Sequence, residues 1–257
     1  MSPLKPKMHF SLSAMTISAR LTLIALLFAT STVLHAQEAA PEKKVIARPD
    51  IPGSFLVDFG FNIGLNKPAK AWEKGFWGSR TLNLTYSYPF QIGESRLYFQ
   101  PGIGMSMERF KWVNNYVLRD TLPDIERYDL VPNEYYNGLK KSMLVMNYLE
   151  IPLEIRFIGN PSDPTRSFMA AVGARIGVLA SGHTKVKYRQ EADKDILKEK
   201  WDHGMNRIRY GLTARVGVAG FGWFAHYNIT PLFQKNKGPL GSNDLSVLTV
   251  GITLNGL

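Results

Sequence analysis

The sequence predicts an all-β fold, an eight-stranded antiparallel up-and-down transmembrane β-barrel. Three observations carry that expectation. Apolar and small or polar residues alternate with period two over eight runs of ten to fifteen residues. The connections between runs alternate between long and short, as in barrels with turns at one end and loops at the other. The chain opens on a basic segment followed by a short apolar one, which marks an exported protein, and its lack of cysteine excludes a disulfide scaffold.

The opening segment reads as an address. Residues 1–20 carry Lys5, Lys7 and Arg20 and no acid, and Leu21 to Leu34 is an apolar run of 14 residues. A spanning helix needs about 20 such residues, so the run is too short to cross a bilayer. With Ala36 as the small residue, residues 1–36 are expected to be a signal peptide cut before Gln37. Residues 37–52 are polar and proline-containing, and are expected to be a periplasmic lead-in.

From Pro52 onward the alternation sets in. In residues 55–65, Phe55, Val57, Phe59, Phe61, Ile63 and Leu65 share a face against Asp58, Gly60, Asn62 and Gly64. Residues 80–90 place Leu82, Leu84, Tyr86, Tyr88 and Phe90 opposite Thr81, Asn83, Thr85 and Ser87. Residues 96–107, 146–157 and 167–181 repeat the pattern with Ile103, Ile151 and Ile176 on their apolar faces. So do residues 207–218, 222–233 and 245–255, with Leu212, Trp223 and Val250. Strands of this length exceed the five or six residues usual in soluble sandwiches and suit a tilted bilayer crossing. The barrel is expected over residues 53–257, with long extracellular loops at 66–78, 108–142, 182–205 and 234–244. One short helix is expected within 190–201. Pro101, Pro152 and Pro231 each remove a ladder donor, so local bulges are expected at them.

Modest hydropathy follows from this arrangement. Mean hydropathy is −0.13 because only one face of each strand meets lipid. A soluble barrel of the same alternation would turn its apolar face inward, but glycines, hydroxyls and charges cannot fill a dry core. The aromatics Phe55, Tyr86, Tyr88, Phe90, Phe157, Phe168 and Trp223 lie near strand ends, as interfacial girdles do.

The strand stretch Asn147-Tyr148-Leu149-Glu150-Ile151-Pro152-Leu153 resembles the PorT-like family of outer-membrane β-barrel proteins. Gln100-Pro101-Gly102-Ile103-Gly104 and Ile229-Thr230-Pro231-Leu232-Phe233 are similar to it as well. The resemblance covers most of residues 52–257 and implies an eight-stranded barrel without established catalytic residues. A few members of that family belong to the machinery of type IX protein secretion. One departure from outer-membrane habit is the C-terminal Leu254-Asn255-Gly256-Leu257, which lacks the usual final aromatic.

Parity places Asp58, Arg96, Glu150, Glu154, Arg156, Arg175, Arg209, Arg215 and His226 on the lumen face. An eight-stranded barrel leaves room only for side chains, so Glu150 and Glu154 are expected to be bridged by arginines that plug it. A narrow ion or solute channel is the rival expectation. Loop 108–142 interleaves Phe110, Trp112, Tyr116, Tyr128, Tyr135 and Tyr136 with six basic and six acidic residues. Such aromatic content suits an interaction surface, or a loop packed onto the rim.

Net charge is +10, of which the leader supplies three basic residues, and the remainder is spread over lumen and loops. It forms no nucleic-acid patch. Lys67, Lys70, Lys74, Lys235 and Lys237 are placed for lipopolysaccharide phosphates. The expected partners are outer-membrane lipid and lipopolysaccharide, the outer-membrane assembly machinery, and a protein partner at the loops or in a secretion complex. No cofactor or metal is expected. Beyond the leader the only histidines are His183, His203 and His226, and no G-x-S-x-G or H-E-x-x-H motif occurs, so no catalytic residues are assigned.

Overall fold

A computed structural model of the chain describes residues 53–66, 76–113, 115–122, 127–134, 136–163, 166–190, 193–200, 203–218 and 220–255. The expected leader and lead-in, together with Lys67, Lys70, Lys74 and Tyr135, lie outside the described residues.

The strands are β1 (Ser54–Leu65), β2 (Arg80–Ser87), β3 (Phe90–Gln91), β4 (Leu97–Trp112), β5 (Tyr116–Leu122) and β6 (Arg127–Pro132). They continue as β7 (Lys141–Ile158), β8 (Phe168–Gln190), β9 (Asp193–Lys200), β10 (Ile208–Val218), β11 (Phe221–Asn228) and β12 (Ser246–Asn255). Eight of them close a barrel in the order β1-β2-β4-β7-β8-β10-β11-β12, with β12 pairing back to β1. Every pairing in that ring is antiparallel. This is the all-β barrel that the period-two alternation predicts. Closure leaves no strand edge to meet lipid, where each unsatisfied backbone group costs several kcal/mol.

The short turns β2–β4, β7–β8 and β10–β11 share an end of the barrel with Ser54 and Asn255. At the opposite end three strands outgrow the ring. β4, β7 and β8 run 16, 18 and 23 residues, and β9 folds back against the projecting end of β8 from His183 to Gln190. β9 replaces the helix expected within 190–201. Above Val178 the far edge of β8 has lost β10, which starts at Ile208, and β9 satisfies that edge. Strands β5 and β6 form a separate hairpin inside the 108–142 connection.

The bulges expected at the prolines are absent. The one shift between barrel strands lies at Asn147/Tyr148 against β8, where pairing passes from Ser181 to Leu179. Pro152 pairs with Arg175 in unbroken register, while the β4–β7 ladder skips Gly102 and Ile103 opposite Pro152 and Ile151. The β2–β4 ladder ends at Ser87↔Gly102, beside Pro101, and Pro231 lies beyond the end of β11. Interrupting the ladder accommodates the missing donors without adding a residue.

Candidate functional site

The lumen is the site the alternation builds. Inward positions carry buried Asp58, Asn62, Asn83, Thr85, Ser87, Gln100, Ser106 and Glu108, and outward ones carry exposed Phe59, Leu84, Ile103, Leu149, Ile151, Val172 and Leu212. A folded chain with its polar residues inside and its isoleucines outside is stable only if its surroundings are apolar.

Two charge clusters fill the lumen. In the first, Arg209 donates through Nε and Nη2 to Glu150 Oε1 at 2.9 and 2.6 Å, and its Nη1 lies 2.8 Å from Glu108 Oε1. Arg175 Nη1 donates to Glu150 Oε2 at 3.0 Å, and its Nη2 donates to Asn228 Oδ1 at 3.2 Å. The Arg209 guanidinium lies over the Tyr148 ring, 3.7 Å from its centroid. In the second cluster, Arg215 donates from Nε to Glu154 Oε1 at 2.9 Å and from Nη1 to Asp58 Oδ1 and Thr253 Oγ1. Asn83 donates to Asp58 Oδ2 at 3.3 Å, and His226 Nε2 lies 3.4 Å from Arg215 Nη2. Arg156 is buried nearby, and its Nε and Nη2 have no hydrogen-bond partner among the described residues.

The sequence places Arg96 in this group, and that placement is corrected. Arg96 is exposed in the turn before β4, because parity governs a side chain only once the strand has begun. Sequence reasoning also misses Glu108, which is fully buried, because β4 continues past the point where the loop was expected. Its spacing from Ser106, two residues on the same face, is the signal that identifies it. With both changes the described lumen holds four carboxylates, Asp58, Glu108, Glu150 and Glu154, against four guanidiniums, Arg156, Arg175, Arg209 and Arg215.

Toward the projecting end the lumen turns apolar. Phe110, Trp112, Leu144, Met146, Met205, Phe233, Leu245 and Val247 are buried in one cluster with Leu118 and Tyr128 of the β5–β6 hairpin. The hairpin is tied down by Tyr128 N donating to Lys237 O at 2.9 Å and Leu240 N donating to Asp129 Oδ1 at 2.7 Å. Met205 bridges Phe233 beneath it, and Tyr148 donates its hydroxyl to Asn206 O at 2.8 Å. Among the described residues, the aromatics of 108–142 therefore do not form an outward interaction surface but pack toward the rim. Phe110, Trp112 and Tyr128 are core, and Tyr116 and Tyr136 are half-buried. Tyr136 packs on Tyr188 at 5.0 Å, and burial followed by the Glu199 charge pushes its phenol above the ordinary value.

Comparison with protein families decides what kind of barrel this is. The family described as outer membrane protein beta-barrel domain matches residues 53–234, most of the chain. The protein belongs to that outer-membrane β-barrel family. A search of curated proteins found no match. For an outer-membrane barrel, the exposed apolar faces are the lipid contact and the buried polar faces are the lumen. Exposed Phe55, Tyr88, Phe90, Phe168, Phe221 and Trp223 gather at the end with short turns as one aromatic girdle. Trp77 is 77% exposed at the other end, edge-on to Phe61 at 5.7 Å.

Proposed function

We propose that this outer-membrane barrel is a non-enzymatic structural or interaction protein with a sealed lumen, exported by residues 1–36. In this reading the short turns and barrel termini face the periplasm, and the projecting strands face outward. The observation that carries it is the stacking of two barriers in one narrow bore. Four buried carboxylates, ion-paired or hydrogen-bonded with Arg175, Arg209 and Arg215 and accompanied by buried Arg156, occupy the middle, and the Phe110–Leu144–Phe233 cluster closes the outer mouth. An ion crossing the bore must displace buried ion pairs and then enter an apolar plug with no ligands to offer.

The test is conductance of the refolded protein in planar bilayers. Silent membranes support the sealed reading, and steady single-channel steps at low voltage overturn it in favour of a narrow ion or solute channel. The resemblance of Asn147–Leu153 to PorT-like proteins supports a finer reading, a component of type IX secretion. Recovery of secretion subunits after mild crosslinking and co-purification tests that reading.

A further inference from the structure

The alternation continues above the apolar belt, but its outward residues change character. On β4 the outward positions run Phe99, Ile103, Met105 and Met107, then Arg109 and Lys111. On β7, Leu149 gives way to Asn147, Val145, Met143 and Lys141. On β8, Val178 and the bulge are followed by His183, Lys185, Lys187 and Arg189, and β9 adds Lys198 and Lys200. Strand pairing arranges these side chains in rows. Arg109, Val145, His183 and Lys200 form one row, and Lys111, Met143, Lys185 and Lys198 the next. Lys141 and Lys187 form a third.

No acid stands among the described residues on this face of the four strands; Asp195 and Glu199 of β9 occupy the opposite parity. None of Arg109, Lys111, Lys141, Lys185, Lys187, Lys198 and Lys200 makes an ion pair with a described residue. Crowding of like charges is evident at Lys141. Burial, then Lys111, Lys185, Lys187 and Arg109, draw it below the ordinary lysine value. At the foot of the face a surface pocket of about 510 Å³ is lined by apolar Leu179 and Ala180 and by His183, Lys200 and Arg207.

We propose that this outward basic face binds the headgroup phosphates of anionic lipid in the outer leaflet, with phosphorylated glycolipid as its occupant. The proposal rests on the barrel standing in the outer membrane with its long connections outermost. The face is continuous with the lipid-facing belt on the same strands, so a lipid whose chains lie on Ile176 and Val178 presents its headgroup to these cations. Half-buried Lys111, Lys141, Lys185 and Lys187 and exposed Arg109, Lys198 and Lys200, arrayed above an apolar wall, match phosphate in charge and acyl chains in depth. The pocket, apolar at Leu179 and Ala180 and cationic at Lys200 and Arg207, spans the same boundary.

The experiment uses the full mature chain refolded in phosphatidylcholine vesicles doped with lipopolysaccharide or with the same lipopolysaccharide enzymatically dephosphorylated. Folding and insertion are first read from the heat-sensitive gel shift of closed barrels; failure there counts against the barrel reading itself. Lipid preference is then read from spin-labelled lipid exchange. Wild type is expected to prefer the phosphorylated form by about tenfold, declining with salt. Lys111→Gln/Lys141→Gln/Lys185→Gln/Lys187→Gln is expected to fold equally well and lose most of that preference, while Arg166→Gln in a short turn keeps it. Equal binding of the two lipids by wild type overturns the proposal, as does full preference in the quadruple variant. Equally tight binding of a soluble acidic polysaccharide in lipid-free detergent reassigns the face to a non-lipid partner.

Discussion

Replacing Arg209 with methionine isolates what the lumen network contributes. Methionine keeps most of the stem volume and removes the charge. Glu150 retains Arg175 at 3.0 Å, but Glu108 loses its 2.8 Å ion pair and keeps only the Ser106 hydroxyl at 3.3 Å. Glu108 Oε2 already lacks a hydrogen-bond partner among the described residues, so the carboxylate becomes a buried charge with almost no compensation. Stranding one partner of a buried pair costs about 3–5 kcal/mol. Urea unfolding in lipid vesicles, followed by the heat-sensitive gel shift, should show the midpoint falling by at least about 1 M at ordinary slopes. Arg209→Met/Glu108→Gln removes the stranded charge and should recover at least half of the loss. The cycle with Glu108→Gln alone then gives a coupling energy of about 1–3 kcal/mol. A single variant within about 0.5 kcal/mol of wild type would falsify the view that these ion pairs hold the lumen.

Further consequences of the same geometry are open to measurement. Ile176 is 52% exposed on the lipid face, so Ile176→Arg should cost about 2–4 kcal/mol in vesicle unfolding, whereas Lys185→Gln above the belt should cost little. Equal costs at the two sites would remove the assigned membrane boundary. At Gly60 an added Cβ would lie 2.7 Å from Phe224 Cζ and 2.9 Å from Val250 O, so Gly60→Ala should lose about 1–3 kcal/mol; an unchanged midpoint contradicts that packing. Burial, then Lys198, Lys185, His203 and Lys200, hold the His183 pKa below its ordinary 6.5. Its neutral form is thus favoured by folding, and the stability it contributes is present above about pH 6.5 and lost as pH falls toward its folded-state value. Titration of its imidazole by NMR should give a midpoint under 6.5 that rises when Lys198 becomes Gln; a midpoint at or above 6.5 rejects the assigned surroundings.

The eight crossings were legible because lipid and lumen impose opposite polarity on alternate residues, as Ile103 and Gly104 or Leu149 and Glu150 illustrate. The same physics explains where the reading stopped. Where a strand leaves the lipid its outer face meets water and its inner face meets a plug, so the alternation inverts in phase. On β4 the inward series Ser106, Glu108 becomes Phe110, Trp112, and the outward series Ile103, Met105 becomes Arg109, Lys111. A fixed-phase reading ends the strand at that crossing. It therefore puts Glu108 in a loop, leaves Phe110 and Trp112 open between an interaction surface and a loop packed onto the rim, and expects a helix where Lys198 and Lys200 line a strand. The ion-pair partners of Arg209 lie further beyond reach, since Glu150 and Glu108 come to it from β7 and β4, two and three strands away in the ring.

The cross-bore pairs also bear on how the barrel arrives at its own topology. Arg215 on β10 meets Asp58 on β1, 157 residues away, and Arg209 on β10 meets Glu108 on β4, so neither contact exists while the sheet is an open trough. A slip of one residue in any ladder turns a charge toward lipid, and a slip of two leaves it without its opposite number. The penalty falls at closure, when water leaves and unmatched charges have nowhere to go. The lumen thus acts as a topological proofreader, stabilising the one strand alignment in which its eight charged groups come to rest together.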